Sequence, residues 1–462
     1  MPVDAPLTFG QLSTWRSIET FAPDRLMEVN VPASWDVHGL DTGRILRALK
    51  CLADRHESLR TTYHLVDGMP IQRVHESMTP RIEVVERAEE DPRDPAETVA
   101  RLYQRIFPVS GDPGWAGVLV TVRGRPSFLA LSLSHMVVDV WAVRELETQF
   151  RALAAQAGPG AAEDAPEAGP SPRELAELQR GESWLSRRRG AEKYWTKVLT
   201  TGPVRNLPEP PARQGERRVQ AAFRSRRLAA LVGQAAAAHG VSPQSVLTAL
   251  TAAGLARTVG RDRVMLSLMC ANRFDAQWQS IISSMNQLIP LACDADPGTT
   301  LVKHLKRTHL NALMAYRHGC YDVDAAADLI DRVPGPDGTA FVHDCWFNYV
   351  AEPAAPRSAA AEAGTGAELA WTTPPRNAGH PFYVRVNGDA GSWLEITLRA
   401  DPDLVPPGDI IRVLKTIALG AQRAAEEPES TLGTLDDDLG QSLDPELFPY
   451  QLPAPPHPEA AA

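Results

Sequence analysis

The sequence predicts a mixed α/β (α+β) protein of two lobes, on three observations. Segments with helical and with strand periodicity alternate in both halves of the chain. A Gly-, Ala- and Pro-rich stretch, Gly158 to Pro172, separates the halves without apolar periodicity of its own. The 462 residues, at roughly 150 per domain, suffice for two or three domains with a substantial core. The expected division is 1–175 and 176–444, followed by a flexible tail, 445–462.

Thr42 to His56 carries Ile45, Leu46, Leu49, Leu52 and Ala53 on one helical face. Leu59 to Leu65 reads as a short strand. Trp115 to Val122 and Phe128 to Leu133 read as a hairpin turned by Arg123-Gly124-Arg125-Pro126, and its second strand runs directly into Ser134 and His135. A helix is expected over Met136 to Ala155, from the spacing of Val143, Leu146, Phe150 and Leu153. In the second half, helices are expected over Ser225 to His239, Ser242 to Thr258, Leu301 to Met314 and Asp409 to Arg423. The strands expected there are Val264 to Cys270, Ala340 to Val350 and Trp393 to Leu398. Glu352 to Ala370 and Pro445 to Ala462 read as a second connector and the tail, and with the first connector they gather part of the 39 prolines.

A 44% hydrophobic and 23% charged composition is that of a soluble globular chain and excludes disorder as the main state. The net charge of −10 argues against a nucleic-acid partner, which needs clustered Lys and Arg. Five cysteines without close pairs give neither a disulfide framework nor a CxxC metal site, as expected of a cytoplasmic protein. Met1 to Glu19 lacks a basic region followed by an apolar run, and no 18-residue apolar stretch occurs, so neither secretion nor membrane insertion is expected. No Walker sequence, GxSxG or zinc-ligand spacing is present.

The chemistry-bearing motif is Ser134-His135-Met136-Val137-Val138-Asp139-Val140. A neutral imidazole, with an unperturbed pKa of ~6.5, accepts a proton from an amine or hydroxyl attacking a carbonyl. An Asp four residues on either orients that imidazole or locks the loop by pairing with a distant Arg. HxxxD alone also arises by accident or for structural reasons, so context decides its weight.

Seven elements in order supply that context. They are Leu7 to Trp15, with Gln11 and Trp15; Arg55 to Tyr63, reading RHESLRTTY; Ser134 to Val140; Tyr194-Trp195; Asn272-Arg273; Ser284-Met285-Asn286-Gln287; and Phe347-Asn348-Tyr349. Together they resemble the condensation-domain family of nonribosomal peptide synthetases, within the HxxxD acyltransferase superfamily. The resemblance implies two chloramphenicol-acetyltransferase-like lobes in a V-shaped pseudo-dimer with a central tunnel. It makes His135 the catalytic histidine and pairs Asp139 with Arg273. It implies a tunnel lined by Ser134, Val140, Met285, Asn286 and Asn348, and structural roles for Arg55, Arg60 and Trp195. Two departures fall in the key motif: Ser134 stands for the first His, and Val140, β-branched and bulkier, stands for Gly.

Plainer roles stand beside these. Arg55 and Arg60 are expected in interior ion pairs or loop contacts, Trp195 in the core, and His318, His343 and Asp344 as satisfied or solvated groups. His380 is a candidate only for proximity to the lobe interface. Met285 and Asn286 belong to a loop with either a lining or a purely structural role, and the cysteines read as core or loop thiols.

The first functional reading is an acyltransferase joining a carrier-protein-bound acyl thioester to an amine, borne by a small molecule or a second carrier. The protein would hold no cofactor of its own and would use the phosphopantetheine arm of an acyl or peptidyl carrier protein acting in trans. The chain reads as free-standing or excised, and as a monomer. The alternatives are an ester-forming enzyme with an alcohol acceptor and a catalytically silent recruitment domain. Because carriers are acidic, docking calls for a local basic patch. Arg180, Arg187, Arg188 and Arg189 form one candidate run, for which a solvated helix face is the slightly favoured reading.

Overall fold

A computed structural model describes residues 1–107, 111, 113–155, 169–209, 217–333, 335, 339–350, 366–374, 379–390, 392–449 and 454. Two compact units emerge. The first comprises Met1–Arg189, Ala271–Gln287 and Cys320–Val323; the second comprises Gly190–Cys270, Leu288–Gly319 and Asp324–Ala462. The chain thus passes between units after Arg189 rather than at 175/176, and two later segments return to the first unit. The reason is local: Arg273 pairs with Asp139 and Ile282 O accepts from Ser58, while Cys320 Sγ accepts from Gln179 Nε2 at 3.3 Å.

The first unit holds two sheets. In the four-stranded sheet Asn30–Asp36, Arg125–Ser134, Trp115–Val122 and Ile82–Arg87 lie side by side in that order. The expected hairpin is present: Val122 pairs with Arg125, and the two turn residues, Arg123 and Gly124, both have positive φ, as a tight turn matched to strand twist requires. Its second strand is buried along nearly its whole length, which is why it reads as a continuous apolar run. A smaller sheet joins Val3–Pro6, Met69–Val74 and Thr61–Val66. The core is built from the apolar face of Thr42–Arg55 (Ile45, Leu49, Leu52), from Leu129 and Leu131, and from Trp35 packed on Phe150 at 5.0 Å. Full burial of such side chains is worth about 1.5–3 kcal/mol each.

The second unit is built on a seven-stranded sheet ordered Gln287–Asp294, Arg263–Cys270, Cys345–Val350, Phe382–Asp389, Trp393–Ala400, Val219–Ser225 and Glu368–Thr372. Helices Arg226–His239, Pro243–Val259 and Pro407–Glu426 pack together and against this sheet. The middle one is buried on all sides, so its apolar residues show no single stripe.

Four local expectations are corrected. The helix after the motif begins at Val140, not Met136, because 135–137 form a turn and 138–139 lie outside regular structure. The strand at Ala340 begins only at Cys345. Within the second connector, Glu368–Thr372 is an edge strand paired with Val219–Ser225, while 352–365 lie outside the described residues. In the tail, Leu447 and Phe448 are buried, and Phe448 packs 5.0 Å from Phe223; 450–453 and 455–462 lie outside the described residues, as do 158–168 of the first connector. No helix among the described residues is long and apolar enough to cross a membrane.

Burial makes two histidines acid-sensitive. His56 meets Gln149 Oε1 at 2.7 Å in the first unit, and His343 meets Ser267 Oγ at 2.6 Å in the second. Desolvation lowers the pKa of each from 6.5 to about 4. Between these values the unfolded chain binds the proton more readily than the folded one, so stability is full above pH 6.5 and falls as pH drops toward 4. The loss is on the order of 3 kcal/mol per histidine. Urea unfolding at a series of pH values should show this acid limb, and His56→Gln should flatten it.

Candidate active site

The strand Arg125–Ser134 delivers the histidine, and backbone hydrogen bonds fix the turn that follows. Ser134 N donates to Gly114 O (2.6 Å), His135 N to Val29 O (2.7 Å), and Val137 N and Val138 N to Ser134 O (2.9 and 3.2 Å). The Ser134 hydroxyl is also spent on the turn, accepting from Met136 N at 3.2 Å. Asp139 then starts the helix: its Oδ1 accepts from Ala142 N at 2.8 Å and its carbonyl from Val143 N at 3.0 Å, the pattern of an N-cap. Val140 is the first helical residue and has negative φ, so its β-branched side chain costs no backbone strain there.

Arg273 closes the loop from the other side. Its Nη2 donates to both oxygens of Asp139, at 2.9 and 3.0 Å, in a pair that is almost completely buried. The same guanidinium donates to Trp278 O, Gln279 O, Ile281 O and Ser283 O, between 2.7 and 3.2 Å. The segment after Arg273 is therefore wound around it, and Met285 N adds a 3.0 Å bond to Asp139 Oδ2. Asn272 enters this segment with φ +55°, a left-handed conformation that Asn tolerates and Gly prefers, and its Nδ2 donates to Met285 O at 2.9 Å. Met285 itself is core, packed with Leu175, Trp184, Trp278 and Ile281.

The opening motif supplies the third wall. Helix Phe9–Glu19 runs so close to the loop that a Cβ on Gly10 would stand 2.3 Å from Ser284 O and 2.7 Å from Met285 Cα. Thr14 Oγ1 lies 3.1 Å from Ser284 Oγ, which in turn lies 3.4 Å from His135 Nδ1. Gln11 Nε2 donates to Tyr63 OH (3.4 Å), and that hydroxyl donates to Met136 O (2.7 Å), so residues of the first two motifs hold the turn that carries His135. Ser58 Oγ donates to Ile282 O, attaching the second motif to the returning segment. Gly10→Ala should force this packing apart and cost about 1–3 kcal/mol in urea unfolding, because backbone rather than a flexible side chain is in the way.

The remaining residues fall as follows. The ion pair of the second motif is Glu57 with Arg173, at 3.0 Å; Arg60 instead donates to His75 O at 2.5 Å, and buried Nη1 of Arg55 has no hydrogen-bond partner among the described residues. The returning segment thus bonds to Ser58, and Glu57 to a helix that local sequence patterning did not reveal, Pro172–Arg180. Trp195 is buried in the second unit, edge-on to Phe341 at 5.7 Å. Asp344 accepts from Asn206 N and Nδ2 and from Leu207 N, His318 stacks on Tyr194, and His380 stacks on Trp346. Asn348, also in the second unit, donates to Tyr383 OH at 3.1 Å. Asn286 is half-buried beside Ser284, whose hydroxyl donates to Asn286 Oδ1 at 3.3 Å. None of the five cysteines forms a disulfide, and three of them are buried. Among the described residues, no cluster of His, Cys, Asp or Glu is placed to hold a metal ion.

A histidine held on a rigid turn, and a buried Asp–Arg pair locking that turn to a segment 134 residues downstream, define an HxxxD site. The chain belongs to the condensation-domain family: the family model described as "Condensation domain" matches residues 11–352. Among curated proteins it is similar to tyrocidine synthase 3 of Brevibacillus parabrevis, 28% identical over 312 residues, which are 65% of this chain and 5% of that protein. It therefore spans about one-twentieth of that relative. Among solved structures, the condensation domain of the monacolin K polyketide synthase MokA matches with a TM-score of 0.72 at 18% identity, over 93% of this chain and 99% of that one. The X-domain solved in complex with OxyB from teicoplanin biosynthesis matches with a TM-score of 0.71 at 19% identity, over 94% and 96%. At these identities the structural likeness is one of fold. Condensation domains are modules of natural-product biosynthesis, and as a family they transfer acyl groups.

Proposed function

We propose that this chain forms an amide bond between an acyl thioester, carried on the phosphopantetheine arm of a carrier protein, and an amine acceptor. The observation that carries the reading is the placement of His135 on a turn fixed by backbone bonds and by the Asp139–Arg273 pair. In the reaction the amine nitrogen attacks the thioester carbonyl and its proton passes to the imidazole. The tetrahedral intermediate then expels the sulfur, which leaves as a thiol after taking that proton, so the imidazole is regenerated. Holding the two reactants together supplies a further, large part of the acceleration. Ser134, whose hydroxyl is bonded within the turn, and Val140, unstrained at the helix start, are both compatible with this chemistry. The test supplies a loaded carrier thioester with amine or alcohol acceptors. Amide product supports the proposal, ester product moves the acceptor class to alcohols, and no product with any acceptor leaves the recruitment reading.

Carrier docking has a clearer candidate than the arginine run. Arg187 is paired with Asp275 and lies over Trp184, Arg188 donates to Gln179 O and Gly181 O, and Arg180 donates to Ala176 O. Helix Leu301–Arg317 instead exposes Leu310 (62%), Leu313 (52%) and Met314 (48%), with Lys303, Lys306 and Arg317 exposed on the same face. Apolar contacts flanked by cations suit an acidic partner. Lys303→Glu combined with Lys306→Glu should raise KM for the carrier-bound donor about tenfold, with a weakened salt dependence, and leave turnover of a small soluble thioester unchanged.

A further inference from the structure

We propose that Tyr63 is a positioning residue for catalysis: its hydroxyl hydrogen, directed by the cap of the opening helix, sets the peptide that follows His135. The role rests on the reading of His135 as the base. Thr8, Gln11, Tyr63 and Met136 carry the relay, and all four are buried within the first unit. Thr8 and Gln11 form a capping box at the start of helix Phe9–Glu19: the Thr8 hydroxyl accepts from Gln11 N at 3.1 Å, and Thr8 N donates to Gln11 Oε1 at 2.9 Å. A backbone N–H only donates, so the atom that meets it is the amide oxygen, and the amide's donor, Nε2, is turned toward the Tyr63 hydroxyl at 3.4 Å. The hydroxyl gives Gln11 a lone pair and keeps its one hydrogen for Met136 O, at 2.7 Å. Each link of the relay thus holds one hydrogen, and all three point toward the turn.

Met136 N, bonded to Ser134 Oγ, and Val137 N, bonded to Ser134 O, close the turn on itself. The Tyr63 bond ties it instead to strand Thr61–Val66, across 73 residues of chain, and fixes the plane of the Met136–Val137 peptide. The direction in which the preceding residue projects its ring follows from that plane. A reacting group misplaced by about 1 Å can lose about 10²-fold in rate, so a small rocking of this peptide is enough to be read in turnover. Burial holds the Tyr63 phenol far above its usual pKa, and the hydrogen therefore stays in place throughout the range in which an imidazole titrates.

The test compares Tyr63→Phe, which removes the oxygen and keeps the ring in the core, with Thr61→Val. The latter removes a buried hydroxyl of the same strand that bonds Glu57 O at 2.6 Å and does not touch the turn. Met136–Val137 is the only Met-Val pair in the sequence, so full-length protein labelled with carbonyl-13C methionine and 15N valine gives a single carbonyl–amide correlation. Its carbonyl signal is expected to move upfield in Tyr63→Phe and to stay in place in Thr61→Val. In the condensation assay Tyr63→Phe should lower kcat about tenfold with little change in KM, by the same factor at every pH, and Thr61→Val should leave both constants unchanged. A carbonyl signal unmoved by Tyr63→Phe, or equal kcat in the two variants, overturns the proposal. The NMR result does not depend on turnover, so failure of the amide-forming reading, seen as equal product from wild type and His135→Ala, is distinguishable from failure of the Tyr63 assignment.

Discussion

Arg273→Ala is expected to destabilise the first unit by about 3–5 kcal/mol, and Asp139→Ala to fall at the lower end of that range. The order follows from what each substitution strands. Without Asp139, the guanidinium keeps four carbonyl acceptors, Trp278 O, Gln279 O, Ile281 O and Ser283 O, which partly offset its charge. Without Arg273, those four carbonyls and a carboxylate that is 3% exposed all lose their donor at once. Asp139 would retain only the amides of Ala142 and Met285. Loss of Asp139 also removes the cap of helix Val140–Ala155, a further contribution of about 1 kcal/mol. Urea unfolding followed by tryptophan fluorescence checks the ranking, since Trp115, Trp184 and Trp278 all report on this unit. Equal stability of wild type and Arg273→Ala would show that the pair does not hold the loop.

His135→Ala is expected to behave in the opposite way. The imidazole side chain is only half-buried, and the turn beneath it is held by backbone bonds from Ser134 N, His135 N, Val137 N and Val138 N that alanine preserves. Unfolding should therefore change by less than about 1 kcal/mol. The rate should fall by about 10²–10⁴-fold, the usual worth of a positioned base, leaving whatever comes from holding the reactants together. Single-turnover kinetics with a preloaded carrier isolates this step from carrier exchange.

Much of the site was legible in the sequence, and the residues explain both the reach and the limit. His135 and Asp139 stand four apart at the end of an apolar run, and Arg273 lies in a recognisable dipeptide, so the ion pair was expected before it was seen. Gly10, Ser58, Tyr63 and Ser284 stand in the sequence only as parts of motifs. Their functions are contacts made across 52 to 270 residues of chain, such as Gln11 to Tyr63 and Thr14 to Ser284, and periodicity reports only local structure. For the same reason, the return of Ala271–Gln287 to the first unit was invisible, since nothing in its composition differs from a loop. The helices Pro172–Arg180 and Leu185–Thr201 show in the sequence only as a solvated helix face around the arginine run, because both are rich in charge, although Ser171 and Glu174 form a capping box that marks the start of the first. The edge strand Glu368–Thr372 was hidden by its setting in a connector rich in Ala, Pro and Gly.

The measurement that bears most directly on the central claim, a base on a rigid turn held in place by a separate clamp, is product formation by His135→Ala. Wild type and variant, at equal concentrations of folded protein, receive the same loaded carrier thioester and amine. A loss of at least about 10²-fold is expected in the variant, with its unfolding transition unchanged. Product formed at the wild-type rate would contradict it.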